Sequence, residues 1–318
     1  MQVENRRILV DEWLNYVEGF VNEFDYPEGA CVSLLGDLRR VISDDRAFGL
    51  FAGYDRLYGE DVHLDYKGIL KELEGLSSDC GVHRFALHLL FYIVISRRTK
   101  EIYVERGISL EIFRCSMNDL RCKLLECYNL YGVWGTCVGW WQDWFFEMRR
   151  FGLGRFQYEL VPFPDTYGKN GVCLKPGDMV VNVHIPSSGP LKREECLASY
   201  DMAADFFRES LDGNPVVFFC ESWMLFPEHP KFLPGTSHIL EFMEDYDIYK
   251  MEYNNGDLWR IFNREYDGNP DSLPENTGLQ RAYKKWLMEG HQAGLGFGVF
   301  VYKGQEQDIT IRRQERKS

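Results

Sequence analysis

At 318 residues the chain exceeds what one hydrophobic core usually organises, and a domain size of about 150 residues gives two domains. Apolar residues at 45% and charged residues at 27% exclude a disordered or low-complexity chain. The 49 Asp and Glu outweigh the 36 Lys and Arg to leave a net charge of −13, which repels a phosphate backbone, so no nucleic-acid partner is expected. The nine cysteines are odd in number and none pair as C-x-x-C, so neither a disulfide framework nor a zinc ribbon is suggested. The opening MQVENRRILVDEW has no apolar signal core, and the most apolar run, Phe85 to Ile95, is too short to cross a bilayer. A cytoplasmic protein with no membrane partner is expected. With 22 Phe, 18 Tyr and 8 Trp, a large aromatic core or an aromatic-walled cleft is expected too.

In chain order, the first 150 residues read as helical. Leu9, Trp13, Tyr16, Val17, Phe20 and Phe24 recur at steps of three and four, the stripe of an amphipathic helix. A second helix is predicted from Ala30 to Ile42. A third, from Val82 to Ile95, is apolar nearly all round and should form the centre of a bundle; His83 and His88 are read as structural. Ser109 suits the N-cap of a helix reaching Tyr131. A glycine-bearing link, Gly132 to Gly135, then precedes an aromatic helix from Val138 to Met148. At Phe151-Gly-Leu-Gly-Arg155 the period changes. Strands are predicted at 155–161, 178–185, 216–220, 247–253, 258–263 and 296–302, with helices at 194–210, 237–243 and 279–289. The polar tail from Gln305 is expected to fray. The fold class is therefore α+β, with a helical domain over 1–150 and a mixed-sheet domain over 151–318.

The strongest local feature is the strand, turn and helix from Val180 to Ser210. Ser187, Ser188 and Gly189 offer backbone amides and small side chains where the positive end of a helix dipole lies, and Lys192 and Arg193 add two cations. The plain alternative is a surface turn with two solvated basic residues. The order of elements, and the segments DMVVNVHIPSSGPLKREECLASYDMAADFF, PVVFFCESWMLF and GLGFGVFVY, resemble the acyl-CoA-binding half of the GNAT superfamily of N-acyltransferases. GISLEIFRCSMNDLRCKLLECYNLYGVWG and MRRFGLGRFQYEL are similar to segments of a bacterial subfamily with an N-terminal helical domain before a GNAT-like C-terminal domain. The family's turn usually reads Gln or Arg, two residues, Gly, any residue, then Gly or Ala. Here Pro186-Ser-Ser-Gly-Pro-Leu191 has one glycine and a proline that removes a donor.

The resemblance implies transfer of an acyl group, expected to be acetyl, from acetyl-CoA or another acyl-CoA to the amine of a small-molecule acceptor by direct attack. It places the pyrophosphate around Ser187, Ser188, Gly189, Lys192 and Arg193, and the acyl-pantetheine arm along the backbone at Val183 and Ile185. Glu221 or His184 would be the base, and Tyr246, or else His229 or His238, the acid. Trp140, Trp141 and Trp144 could wall the acceptor side. No metal is required, and a homodimer is compatible with this reading. Two alternatives stand beside it. One is a non-catalytic metabolite sensor on the same scaffold; the other is a metal site drawn from His184, Glu221, His229 and His238, whose spacing forms no compact ligand motif. A serine nucleophile lacks its G-x-S-x-G signature. Gly294-Leu-Gly-Phe-Gly298 precedes a strand rather than joining strand to helix, so its glycines are read as permitting a tight turn or close backbone approach.

Overall fold

In the computed structural model, which describes residues 3–169, 171–211 and 215–304, the chain divides into two units, Met1–Phe151 and Gly152–Ser318. The first unit is helical: α1 (Val3–Glu23), α2 (Glu28–Ser43), α3 (Asp45–Glu60), α4 (Tyr66–Glu74), the single turn α5 (Ser77–Cys80), α6 (Arg84–Glu105), α7 (Leu110–Tyr131) and the short α8 (Asp143–Phe146). Every residue of α6 from Ala86 to Ser96 is buried, as an apolar surface on all sides requires, and α1, α2, α3, α4 and α7 all pack against it. Ser109 caps α7 by accepting from the Glu111 amide at 3.1 Å. The His83 ring caps α6 through the Phe85 amide, and the buried His88 places Nε2 3.2 Å from the Leu70 carbonyl.

The helices α3, α4 and α5 lie outside those predicted, and the aromatic segment differs from its predicted form. In α3, Gly49, Gly53 and Gly59 look like breakers. Yet Ala47, Phe48, Phe51, Asp55 and Tyr58 form a buried stripe, and Gly49 and Gly53 face open space, so the helix loses only their propensity. The fully buried Asp55 is held by Arg98 Nε at 2.8 Å and Arg97 Nη2 at 3.2 Å, which keeps the buried charge paired. The continuous aromatic helix expected over Val138–Met148 is instead a 3-10 turn, Gly139–Trp141, followed by α8. The Asp119 carboxylate accepts from both the Trp141 indole (3.1 Å) and the Gln142 amide (2.8 Å). A regular helix would turn adjacent side chains about 100° apart.

The second unit is built on a six-stranded mixed sheet, so the α+β class holds. Its strands are β1 (Arg150–Leu153), β2 (Phe156–Pro162), β5 (Met179–His184), β6 (Val217–Ser222), β7 (Asp247–Tyr253) and β8 (Gly294–Val301), in the order β1-β2-β5-β6-β8-β7. A separate hairpin comprises β3 (Tyr167–Lys169) and β4 (Val172–Leu174). β5 and β6 are parallel, joined through α9 (Arg193–Phe207), while the β2–β5, β6–β8 and β7–β8 pairs are antiparallel. The helices α10 (His238–Met243), α11 (Leu258–Phe262) and α12 (Gly278–Met288) complete the unit. α11 replaces the strand expected at 258–263. Its buried residues are Leu258, Ile261 and Phe262, a helical spacing, and Asn263 ends it in the left-handed region at φ 52°.

Side chains alternate along β8. Leu295, Phe297 and Val299 join a core with Phe163, Tyr167, Leu174, Val180, Val217 and Phe219. Gly294, Gly296 and Gly298 face the other way, onto the segment Trp223–Phe226 and Tyr246. A Cβ on Gly296 would lie 2.0 Å from the Leu225 carbonyl oxygen. The glycines therefore serve close backbone approach. No helix among the described residues is long and apolar enough to cross a membrane. The tail from Gln305 lies outside the described residues.

His229 belongs to the core. It is fully buried among Trp223, Phe226, Phe232 and Tyr283, with Nε2 2.5 Å from the Tyr283 hydroxyl, and burial lowers its pKa to about 4. The unfolded chain would protonate this ring near its ordinary pKa of about 6.5, so between pH 6.5 and 4 the unfolded state binds more protons and stability falls as pH falls. A loss on the order of 2 kcal/mol between pH 6.5 and 5 is expected from this group. Thermal melts of the wild type should show it, and His229→Phe should flatten the slope.

Candidate active site

The strand DMVVNVH alternates, so Val181 and Val183 face one side of the sheet while Val180, Asn182 and His184 face the other. In β6, Phe219 sits opposite Asn182, which puts Glu221 on the same face as His184 and at the same level. Among the described residues the parallel ladder between β5 and β6 registers Val181 with Phe218 and Asn182 with Phe219, and stops there. Both strands continue beyond it. His184 and Glu221 thus stand on the two lips of a gap at the carboxyl ends of parallel strands, where open sheets with a crossover place their ligands.

His184 is held from β2. Its Nε2 lies 2.9 Å from Glu159 Oε1, and the Asn182 amide donates to the same oxygen at 3.2 Å. The register explains the contact: Glu159 lies opposite Asn182 and diagonal to His184, within reach of a long side chain. Glu159 is buried and His184 half-buried. Glu221 is more exposed. Desolvation first, then the neighbouring Glu252, raise its pKa, against the opposing Lys250.

Beyond His184 the turn closes around Arg155, a residue that the sequence reading did not single out. The guanidinium donates to the carbonyls of Pro186 (3.2 Å), Gly189 (2.6 Å) and Pro190 (3.0 Å), and to Ser188 Oγ at 3.4 Å. Gly189 presents its carbonyl from φ 142°, a conformation that side chains rarely adopt, which accounts for the single glycine of the turn. Lys192, at the N-cap of α9, pairs on the surface with Glu195 at 2.7 Å. Arg193 turns inward onto the buried Asp245 (2.6 Å), which also accepts from Tyr200 (3.3 Å).

The register therefore sets His184 and Glu221 at one level on one face of the sheet, with Val183 on the other face and with Ile185 and the turn Ser187–Gly189 beyond the end of β5. It does not bring Tyr246 to them. Tyr246 packs over Gly298, which pairs with Cys220 and so lies on the opposite face from Glu221. Its hydroxyl is buried 3.3 Å from that of Tyr200, and burial holds its pKa well above the ordinary tyrosine value. His238 sits on α10 with Nδ1 3.4 Å from Glu241. Among the described residues no three His, Cys, Asp or Glu side chains gather as metal ligands. In the first unit, Trp141 is fixed by Asp119 and by the Arg150 guanidinium 3.7 Å above its ring, Trp144 lies beneath Arg149 at 3.9 Å, and Trp140 is exposed. Glu159 and Gln157 are polar residues in a strand whose first four residues are all buried, a burial that the sequence alone does not show.

Residues 18–148 match an N-acyltransferase N-terminal domain, and residues 151–300 match a GNAT-like C-terminal domain. Among solved structures the chain is similar to an acyltransferase in complex with decanoyl-CoA, at 18% identity and a TM-score of 0.68, over 95% of this chain and 100% of that one. It is also similar to an acyltransferase in complex with decanoyl-CoA and teicoplanin, at 20% identity and a TM-score of 0.65, over 90% of this chain and 87% of that one. A third, an acyltransferase mutant in complex with octanoyl-CoA, has 18% identity and a TM-score of 0.64, with coverage of 90% and 87%. Curated protein sequences contain no match.

Proposed function

For a chain that carries an N-acyltransferase N-terminal domain followed by a GNAT-like C-terminal domain, we propose acyl transfer from acyl-CoA to the amine of a small-molecule acceptor. The observation that supports it best is the gap between β5 and β6, with a carboxylate-bound imidazole on one lip and the Arg155-fastened turn beyond it. An extended pantetheine arm fits along β5 past Asn182, where the ladder to β6 has ended and the backbone at Val183 and Ile185 can serve as partners. The diphosphate would meet the Ser187–Gly189 turn and the N-terminal end of α9, with Lys192 beside it. Arg193 serves differently, fixing the start of that helix to Asp245.

In the reaction the amine nitrogen attacks the thioester carbonyl. The C–N bond forms, the C–S bond breaks, His184 takes the proton from nitrogen, and the thiolate leaves. Glu221, across the gap and more exposed, suits the incoming cationic amine. Tyr246 is assigned to packing. The bound octanoyl and decanoyl thioesters of the similar structures favour a longer acyl chain than the expected acetyl group, and the teicoplanin in one of them supports a small-molecule acceptor.

Calorimetric titration with CoA, acetyl-CoA, octanoyl-CoA and decanoyl-CoA tests this. At 100 times its dissociation constant, a ligand should stabilise the protein by about 2.7 kcal/mol. Arg155→Lys keeps the charge but cannot make the same fork of contacts, and should weaken binding by tenfold or more. Absence of binding to all four at millimolar concentration would sink the proposal.

A further inference from the structure

We propose that Cys127 and Cys137 are a reversible redox pair, in which Cys137 meets a small-molecule disulfide and Cys127 then closes an intramolecular disulfide. Both residues lie in the first unit, and the chemistry is independent of acyl transfer.

The two thiols, ten positions apart in sequence, are hydrogen-bonded to each other, with Cys127 donating to the Cys137 sulfur. The contact comes from the way the chain turns back after α7. Gly132 leaves the helix at φ 67°, and the Trp134 ring stacks at 3.5 Å on Tyr128, the neighbour of Cys127. Gly135 then passes so close to α6 that a Cβ there would lie 2.3 Å from the Phe85 carbonyl carbon. The Thr136 amide donates to the Phe85 carbonyl at 2.9 Å. These contacts hold the link on both sides, so Cys137 stays against Cys127. The sulfurs need only close from hydrogen-bond contact to bonding distance, which side-chain rotation can supply.

The two sulfurs are not equivalent. Cys127 is fully buried, and its hydrogen bond to Cys137, then desolvation, hold its pKa well above the ordinary thiol value. Cys137 is half-buried, and accepting that hydrogen bond lowers its pKa against the opposing desolvation. Lys123 lowers it further and Glu126 raises it, and those two side chains pair with each other at 3.1 Å. Burial shifts Cys31, Cys80, Cys196 and Cys220 upwards instead. Cys137 thus gives up its proton before Cys127 and is the one that solvent reaches, as an attacking sulfur requires. Its thiolate attacks one sulfur of the small disulfide. The S–S bond breaks, one small thiolate leaves and takes up the proton that Cys137 lost, and a mixed disulfide remains. Cys127 then gives its proton to the second small thiolate as it attacks the Cys137 sulfur. Two protein thiols are oxidised to one disulfide, and one small disulfide is reduced to two thiols. The new bond would tie the chain to α7 just before the 3-10 turn Gly139–Trp141.

The experiment exposes the full chain, reduced and freed of reductant, to glutathione disulfide, followed by alkylation and tryptic digestion. Residues 124–149 form one tryptic peptide that holds these two cysteines and no other. From the wild type it should emerge unalkylated and lighter by two hydrogens, and dithiothreitol before alkylation should reverse this. Cys127→Ser should stop at the mixed disulfide of Cys137 with glutathione. In Cys137→Ser the buried Cys127 should be modified roughly tenfold or more slowly than Cys137 is in Cys127→Ser. A folded wild type whose peptide stays fully alkylated at millimolar glutathione disulfide would overturn the pair, as would closure only after denaturation. Modification of Cys127 as fast as that of Cys137 would overturn the assigned roles. Melting curves establish that each variant is folded; should a serine variant not fold, the wild-type digest and its reversal decide alone.

Discussion

The substitution His184→Gln should lower acyl transfer to an amine by a hundredfold or more while acyl-CoA still binds. A positioned base contributes typically 10²–10⁴ in rate, because the amine must shed a proton as the C–N bond forms. The glutamine side chain would keep a polar contact with Glu159 and a similar volume, so neither the sheet nor the turn beyond it is disturbed. The expected signature is a fall in kcat with little change in the calorimetric affinity for acyl-CoA, since that affinity resides in the gap and the turn. Glu221→Gln should act differently, raising the acceptor KM more than it lowers kcat. If instead His184→Gln remains active and Glu221→Gln is dead, the base is Glu221 and the imidazole is a structural partner of Glu159.

The substitution Gly296→Ala should destabilise the second unit by about 3 kcal/mol, at the upper end of what overpacking ordinarily costs. The added Cβ would lie 2.0 Å from the Leu225 carbonyl oxygen and 2.7 Å from its carbon. Both are backbone atoms, so no side chain can swing away, and the strand or the Trp223–Leu225 turn must shift. At Gly49, on the open face of α3, nothing lies within 4 Å. The same change there, Gly49→Ala, should stabilise by about 0.5–1 kcal/mol through helix propensity. Chemical denaturation of the two variants checks the contrast. A Gly296→Ala protein as stable as the wild type would mean that β8 does not approach the Trp223–Leu225 turn as closely as described.

The legible parts of the fold were those with a clear period. Alternation in DMVVNVH and GLGFGVFV marked β5 and β8, and the all-round apolar α6 read directly as a bundle centre. The misreadings have local causes. Glycines on an exposed face concealed α3, a five-residue amphipathic turn passed for a strand at Leu258–Phe262, and the segment from Val138 takes a 3-10 turn in which Trp141 and Gln142 both donate to Asp119, a partner 22 and 23 residues away. In the candidate site, His184 and Glu221 stand out because each lies near the end of a strand. Glu159 and Arg155 were hidden because their partners are 25 and more residues away, and register between strands is not written in either strand alone.

The clasp that Arg155 makes on the Pro186–Pro190 turn bears on how a ligand would be received there. Loops that take an anion often order themselves as it arrives, and that lost freedom is subtracted from affinity. This turn is already tied by four hydrogen bonds from one planar group, with a proline at either end. Proline and arginine together do by rigidity what a glycine-rich loop does by compliance: the first has its shape before the encounter, the second finds it during the encounter.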